Sequence, residues 1–95
     1  MKIVVIFSAS HYRRLLSHLF SGSSEQGAFL FATEYRTKME AVFRVNDIRS
    51  VPNDGWDYQE RAYLELKESE KVKVMRIAKA RGCSLIECHS HRTPM

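Results

Sequence analysis

The segment GAFLFATEY at residues 27–35 decides the fold of this chain. Its phenylalanines, leucine and small alanines predict a β-strand. The segment follows the turn-forming run SGSS at residues 21–24, where Gly22 can take the left-handed conformation that ends a helix. Ahead of that turn, the run KIVVIF at residues 2–7 predicts another strand, and its β-branched and aromatic content is typical of a strand buried on both faces.

A helix between these two strands is indicated by apolar residues at helical spacing. Either Ser8 or Ser10 can cap its N-terminus, because a serine hydroxyl accepts a hydrogen bond from a free backbone N–H of the first turn. The apolar residues form one stripe, which predicts packing against the sheet. Its members are Tyr12, Leu15, Leu16, Leu19 and Phe20.

Two features follow the central segment. Turn residues at 36–38 precede an alternating apolar and polar run at 40–45, which predicts a strand that returns beside residues 27–35. The run VPNDG at 51–55 combines proline, asparagine and glycine, and it is the strongest loop signal in the chain.

The last third of the chain predicts a strand, a helix and a strand. Residues 61–66 fit either a strand or the start of one long helix. Ser69 favours the strand, since it can cap a separate helix over residues 70–81 that Gly82 then ends. Residues 84–88 complete the order β-α-β-β-β-α-β. We therefore expect an α/β (α+β) protein with a mixed sheet flanked by helices.

Length and composition limit the possible functions. With 95 residues, of which 44% are hydrophobic, the chain predicts one globular domain over residues 1–95. The net charge is +4 and the sequence pI is about 9.3, but the basic residues are dispersed. Solvated helix faces explain this charge better than a nucleic-acid patch does. No apolar run approaches the roughly 18 residues of a membrane span, so no membrane partner is expected.

The cysteines indicate a cellular compartment. Cys83 and Cys88 lie five apart near one predicted strand, and such a pair does not easily reach the Cα separation of a disulfide. Free thiols are typical of a reducing cytoplasm, which is the expected location.

The segment ECHSH at residues 87–91 carries the chemistry. Residues two apart in a strand point to the same side, so His89 and His91 can direct their imidazoles at one point, with Ser90 facing the opposite way. Imidazole nitrogens are good zinc ligands, and we predict that both histidines bind zinc. A His-x-His pair also arises by chance, or in a disordered chain end. His11 and His18 are interpreted as surface or helix-packing residues.

Glu25 lies just before the apolar strand, and its position relative to His89 and His91 resembles the JAB/MPN family of zinc peptidases. The signature of that family, the JAMM motif, is a glutamate followed later by His-x-His, seven residues, Ser, two residues and Asp. The resemblance covers nearly the whole chain, and it implies a cytidine-deaminase-like JAB/MPN architecture that is truncated at its carboxy end. The Ser and the Asp of the motif have no counterpart after His91.

The resemblance implies a function for each matched residue. Glu25 corresponds to the general base, and His89 and His91 correspond to two zinc ligands; the missing Asp is the third. The implied substrates are peptide or isopeptide bonds next to the C-terminus of ubiquitin, a ubiquitin-like protein or a sulfur-carrier protein. The full-length form is expected to be active and the truncated form impaired, because catalytic zinc sites normally have three protein ligands.

Three alternatives remain open. The chain could be a non-catalytic MPN-like scaffold that binds a partner protein, or a basic domain associated with nucleic acid. Cys88 could replace the missing ligand as a thiolate, although as the neighbour of His89 it should point to the other face of the sheet. The exposed edge of a truncated sheet also favours a homo-oligomer.

Overall fold

A computed structural model describes residues 1–22, 24–59 and 64–91. Residue 23 and residues 61–63, which belong to predicted elements, lie outside these ranges. The elements in chain order are β1 (Lys2–Ile6), α1 (Ala9–Leu19), β2 (Gly27–Arg36), β3 (Glu40–Ser50), a short 3₁₀ helix (Asn53–Gly55), β4 (Trp56–Gln59), β5 (Leu64–Leu66), α2 (Glu68–Arg81) and β6 (Ser84–His89).

Four strands form one mixed sheet in the order β1-β3-β2-β6. Strand β1 runs parallel to β3, whereas β2 runs antiparallel to both β3 and β6. Strands β4 and β5 form a separate antiparallel pair. The predicted class, a mixed sheet with two helices, is therefore confirmed. Among the described residues, no helix is long and apolar enough to cross a membrane.

Strand β2 is the centre of the protein because it has a strand on each side and apolar residues on both faces. Alternate side chains of a strand point to opposite faces. Ala28 and Leu30 pack with Leu15 and Leu19 of α1. On the other face lies a second cluster, whose buried members are Phe29, Phe31, Val51, Trp56, Val74 and Ala78.

The predicted burial of the first strand on both faces is wrong. Strand β1 is at the outer edge of the sheet, and Ile3 is 69% exposed. Within residues 2–7, only Phe7, beyond the end of the strand, packs against the cluster formed with Leu15 and Leu19 of α1. The β-branched run predicts a strand, but burial depends on the position in the sheet, and that position is set by pairing with β3.

The apolar stripe of α1 is narrower than predicted. Ser8 is the N-cap, and its hydroxyl accepts a hydrogen bond from the backbone N–H of His11 at 3.1 Å. Leu15 is buried and so is Leu19, but Tyr12 is 49% exposed. The ring of Tyr12 instead meets that of Phe7 edge-on, with the ring centroids 5.5 Å apart, at the margin of the core. Phe20, at the C-cap, is also exposed.

The predicted order of elements is wrong by one strand. Trp56–Gln59 forms β4, which pairs with β5, so the described strand at Leu64–Leu66 is the second of two. The sequence did not predict this strand for two reasons. A four-residue strand shows almost no alternation of its own, and the proline and glycine just before it indicate a loop. Strand β4 forms because Trp56 is buried among residues of β2 and α2.

The start of α2 also differs from the prediction. The helix begins at Glu68 with Lys67 as N-cap, so Ser69 lies inside the first turn and does not cap it. Glu68 and Glu70 lie in that turn, where the helix dipole favours negative charge. The predicted end of the helix is confirmed, since Gly82 has a left-handed φ of 62°.

Candidate functional site

Strand β6 delivers the two predicted zinc ligands to one place. Its antiparallel pairing with β2 sets His89 opposite Gly27, and His91 follows two residues later, just beyond the strand. The two imidazole centroids are 4.7 Å apart with an interplanar angle of 69°. Both histidines are exposed, so their rings are accessible to an ion and to a substrate.

Glu25 lies beside this histidine pair. It is only 6% exposed, and its Oε1 atom is 3.6 Å from Nδ1 of His91. That distance is too long for a hydrogen bond but short enough for the carboxylate and the ring to act on the same water molecule. Glu25, which is more than 60 positions from both histidines in the sequence, therefore lies beside the histidine pair.

Two hydrogen bonds between Ser90 and Gln26 hold the segment of Glu25 next to the segment of the two histidines. The backbone N–H of Ser90 donates to the carbonyl oxygen of Gln26 at 2.9 Å, and the N–H of Gln26 donates to the Ser90 hydroxyl oxygen at 3.0 Å. Both residues are buried. We call this reciprocal contact the Gln26–Ser90 clasp. It holds the residue after Glu25 against the residue between the two histidines.

Two further side chains hold the segment that carries Glu25, and the sequence did not indicate either role. The Gln59 amide on β4 donates to the carbonyl oxygen of Glu25 at 2.9 Å and lies 3.1 Å from the side-chain oxygen of Gln26. Nε2 of His18 is 2.8 Å from the carbonyl oxygen of Gly27. Because a carbonyl only accepts, that nitrogen must carry the proton. His18 was interpreted as a surface or packing residue, and this contact gives it a defined role.

Position 27 requires a glycine because the ring of Trp56 packs directly against it. A Cβ atom at position 27 would lie 2.6 Å and 2.9 Å from two ring carbons of that indole, closer than carbon atoms can pack. The indole covers the start of β2 directly after Glu25 and Gln26. Glycine therefore allows the β4 side chain to press on the segment that presents the carboxylate.

A zinc ion fits part of this donor set. Two imidazoles on one side of a chain are suitable zinc ligands, and an adjacent carboxylate is suited to proton transfer. Three protein ligands are the norm for catalytic zinc, and within the described ranges no group of three or more His, Cys, Asp or Glu residues could hold an ion. The described chain thus offers two ligands and a candidate base.

Cys88 does not join this group. It packs with the cluster on the α1 face of the sheet, whereas Cys83 packs with the cluster on the α2 face. Burial raises the pKa of the Cys88 thiol, helped by the nearby charge of Glu87. A thiol of raised pKa is a poor metal ligand at neutral pH. Both cysteines are free, and their opposite faces separate their sulfur atoms.

Comparison with known proteins gives no independent identification. The chain matches no model of a known protein family, and no curated protein matches it with significance.

Proposed function

We propose that this chain is a JAB/MPN-like domain of a zinc-dependent peptidase. The observation that supports the proposal is the convergence of Glu25, His89 and His91, whose segments are held together by the Gln26–Ser90 clasp. A glutamate at a strand entry and a His-x-His pair are each common. A buried glutamate 3.6 Å from one of the two histidines is a more specific arrangement.

In this proposal each residue has a separate task. His89 and His91 would hold the ion through ring nitrogens, with Glu25 beside His91. When bound, zinc acts as a Lewis acid that polarises the scissile carbonyl and acidifies water. Glu25 takes a proton from the attacking water and returns it to the nitrogen of the leaving amine as the C–N bond breaks.

The position of the carboxylate depends on the residues around it. Gln59 donates to the carbonyl oxygen of Glu25, and His18 donates to the carbonyl oxygen of Gly27. Between them, the Ser90 hydroxyl accepts from the N–H of Gln26. Catalytic proton transfer requires heavy atoms within hydrogen-bond distance, so a rigid backbone at Glu25 reduces the cost of reaching that geometry. These three side chains are positioning residues in the proposal.

The proposed substrate is a peptide or isopeptide bond next to the C-terminus of ubiquitin, a ubiquitin-like protein or a sulfur-carrier protein. The substrate class depends on the family resemblance of Glu25, His89 and His91. A cytoplasmic location is proposed with it, which the two free thiols support.

Metal content tests the first half of the proposal. The purified chain, loaded with zinc and desalted, is expected to retain zinc by elemental analysis. His89→Ala and His91→Ala are each expected to lose it. His11→Ala is the matched control, since it removes an imidazole from α1, and it should retain the metal. Equal zinc content in all four proteins would show that the histidine pair is not the site.

Peptidase activity tests the second half. In the longest form of the protein that retains zinc, Glu25→Gln keeps the size of the side chain but removes the base. We expect unchanged zinc content and a fall of at least about 100-fold in hydrolysis of an amide at the C-terminus of ubiquitin or a sulfur carrier. Zinc binding without hydrolysis of any such amide would reject the peptidase and favour the alternative, a non-catalytic scaffold.

A further inference from the structure

A second region of interest lies along the outer edge of β3, away from the histidine pair. Strand β1 pairs with β3 only as far as Arg44, so among the described residues the stretch from Asn46 to Ser50 has no strand on that side. The Asp47 carboxylate at this edge accepts a hydrogen bond from the backbone N–H of Ile48 at 2.8 Å.

Two adjoining cavities line this edge and share Arg14 and Ser50. The first, of about 580 Å³, is lined by Arg13, Arg14, Ser17, His18, Ser21 and Ser50. The second, of about 320 Å³, brings Arg49 and Arg81 to the same edge beside Asp47. We call the two together the arginine groove. Its guanidinium groups come from three separate elements, α1, β3 and α2.

The positive charges of the groove are only partly neutralised. Arg49 forms two hydrogen bonds with the buried carboxylate of Glu70, at 2.6 Å and 2.9 Å, and Arg81 lies 3.0 Å from Asp47. Within the parts of the chain that the structure describes, no carboxylate forms an ion pair with Arg13 or Arg14. Two guanidinium groups without a salt bridge in the described part of the chain therefore line a cavity that also contains serine hydroxyls.

The groove already stabilises one anion of the protein itself. The hydrogen bond from Arg81 lowers the pKa of Asp47, and the backbone N–H of Ile48 and the charge of Arg14 act in the same direction. Arg14 lines both cavities of the groove, one of which also contains Asp47. An external anion placed beside Asp47 would experience the same cations.

Helix electrostatics account for only part of this arrangement. Basic residues stabilise the C-terminal turn of a helix, which explains Arg81 in α2 and His18 in α1. Arg13 and Arg14 lie in the middle of α1, where the dipole gives no such benefit. Both are exposed, as is typical of a solvated helix face, and they lie beside the hydroxyl groups of Ser17 and Ser50.

We propose that the arginine groove binds a phosphate group. Guanidinium groups form paired, charge-assisted hydrogen bonds with phosphate oxygens, and serine hydroxyls donate to the same oxygens. Arg14 lines both cavities, so it is the central contact, with Arg13, Ser17 and Ser50 around it. The site shares His18 with the segment that positions Glu25, but it requires no metal. The phosphate can belong to the free ion or to a phosphate ester.

The test is a titration of the folded chain with inorganic phosphate at constant ionic strength, followed by ¹H–¹⁵N NMR and calorimetry. Saturable shifts are expected at residues 13–21, which span the second half of α1 and its C-terminal end, and at residues 46–50 of β3. Arg14→Ala should weaken binding about tenfold, because it removes charge-assisted hydrogen bonds. The matched control is Arg76→Ala, which removes the same charge from a cavity on another part of α2 and should leave the affinity unchanged.

A variant that is expected to bind phosphate more tightly than the wild type gives the strictest test. Asp47→Asn keeps an acceptor for the Ile48 N–H but removes the negative charge that forms an ion pair with Arg81. We expect phosphate to bind severalfold more tightly to this variant. Phosphate affinity that is unchanged in Asp47→Asn, or reduced equally by Arg14→Ala and Arg76→Ala, would overturn the proposal and leave only a diffuse effect of net charge.

A parallel titration with a nucleoside monophosphate distinguishes the two sources of the phosphate. Tighter binding of the ester, with the same dependence on Arg14 and Asp47, would identify a phosphate ester as the preferred ligand. Equal affinities would identify the phosphate group alone as the part that is recognised. Absence of saturable shifts with both ligands would reject the site.

Discussion

Replacement of Ser90 by alanine should destabilise the protein far more than an ordinary serine substitution. The hydroxyl of Ser90 is the acceptor for the backbone N–H of Gln26, and the two residues are 5% and 8% exposed. Alanine would leave that amide buried without its acceptor, which costs about 1–3 kcal/mol. For a domain of this size, each kcal/mol lowers Tm by about 4–8 °C, so we expect a fall of roughly 5–20 °C.

The assay is thermal and urea unfolding followed by circular dichroism. Ser69→Ala is the matched control, because Ser69 is exposed on α2 and does not cap it; its effect should be within about 0.5 kcal/mol. If zinc binds as proposed, Ser90→Ala should also weaken zinc binding, since the clasp holds the backbone between the two ligands His89 and His91. Equal stability of the Ser90 and Ser69 variants would refute the reasoning that the clasp holds the two segments together.

Two further predictions concern the packing and the charge pair around the central strand. Gly27→Ala should lower the free energy of unfolding by about 1–3 kcal/mol, because the new methyl group overlaps the indole of Trp56. In a Trp56→Phe background this loss should be smaller, which a double-mutant cycle of unfolding free energies can measure. Glu70→Gln should destabilise by about 1–3 kcal/mol at pH 7, since it breaks the charged hydrogen bonds to Arg49. Those bonds lower the pKa of Glu70 below its ordinary value of 4.5. Their contribution to the free energy of unfolding is therefore complete above pH 4.5 and is lost as the pH falls through the lowered pKa. Urea unfolding of both proteins from pH 7 to pH 3 should therefore show the difference between wild type and Glu70→Gln shrinking on acidification; a constant difference would contradict this account.

The positions of Gln59 and His18 show how the candidate site depends on more than its three central residues. Gln59 comes from β4 and donates to the carbonyl oxygen of Glu25, whereas His18 comes from α1 and donates to the carbonyl oxygen of Gly27. Neither residue has a pattern in the sequence that indicates this role, because any residue with a side-chain N–H at those places could donate to a carbonyl. Ser90 was noticeable only because it lies between two histidines.

The sequence by itself determined the features that depend on neighbours within a few residues. The apolar run at 27–35 predicted β2, Gly82 marked the end of α2, and the spacing of His89 and His91 predicted that their rings would lie together. These features follow from local backbone preferences and from the alternation of side chains along a strand. Local interactions are fixed by adjacent residues, so they can be inferred without the fold.

Only the tertiary structure decided which strand is central, whether the short segment Trp56–Gln59 is a strand, and how close Glu25 comes to His91. Strand β1 has the more continuous β-branched run, yet it lies at the edge, since burial depends on which strands pair. The distance from Glu25 to His91 is set by hydrogen bonds between residues 64 positions apart. Such contacts form only when the whole sheet has assembled, because the free energy of each depends on the packing of all the others.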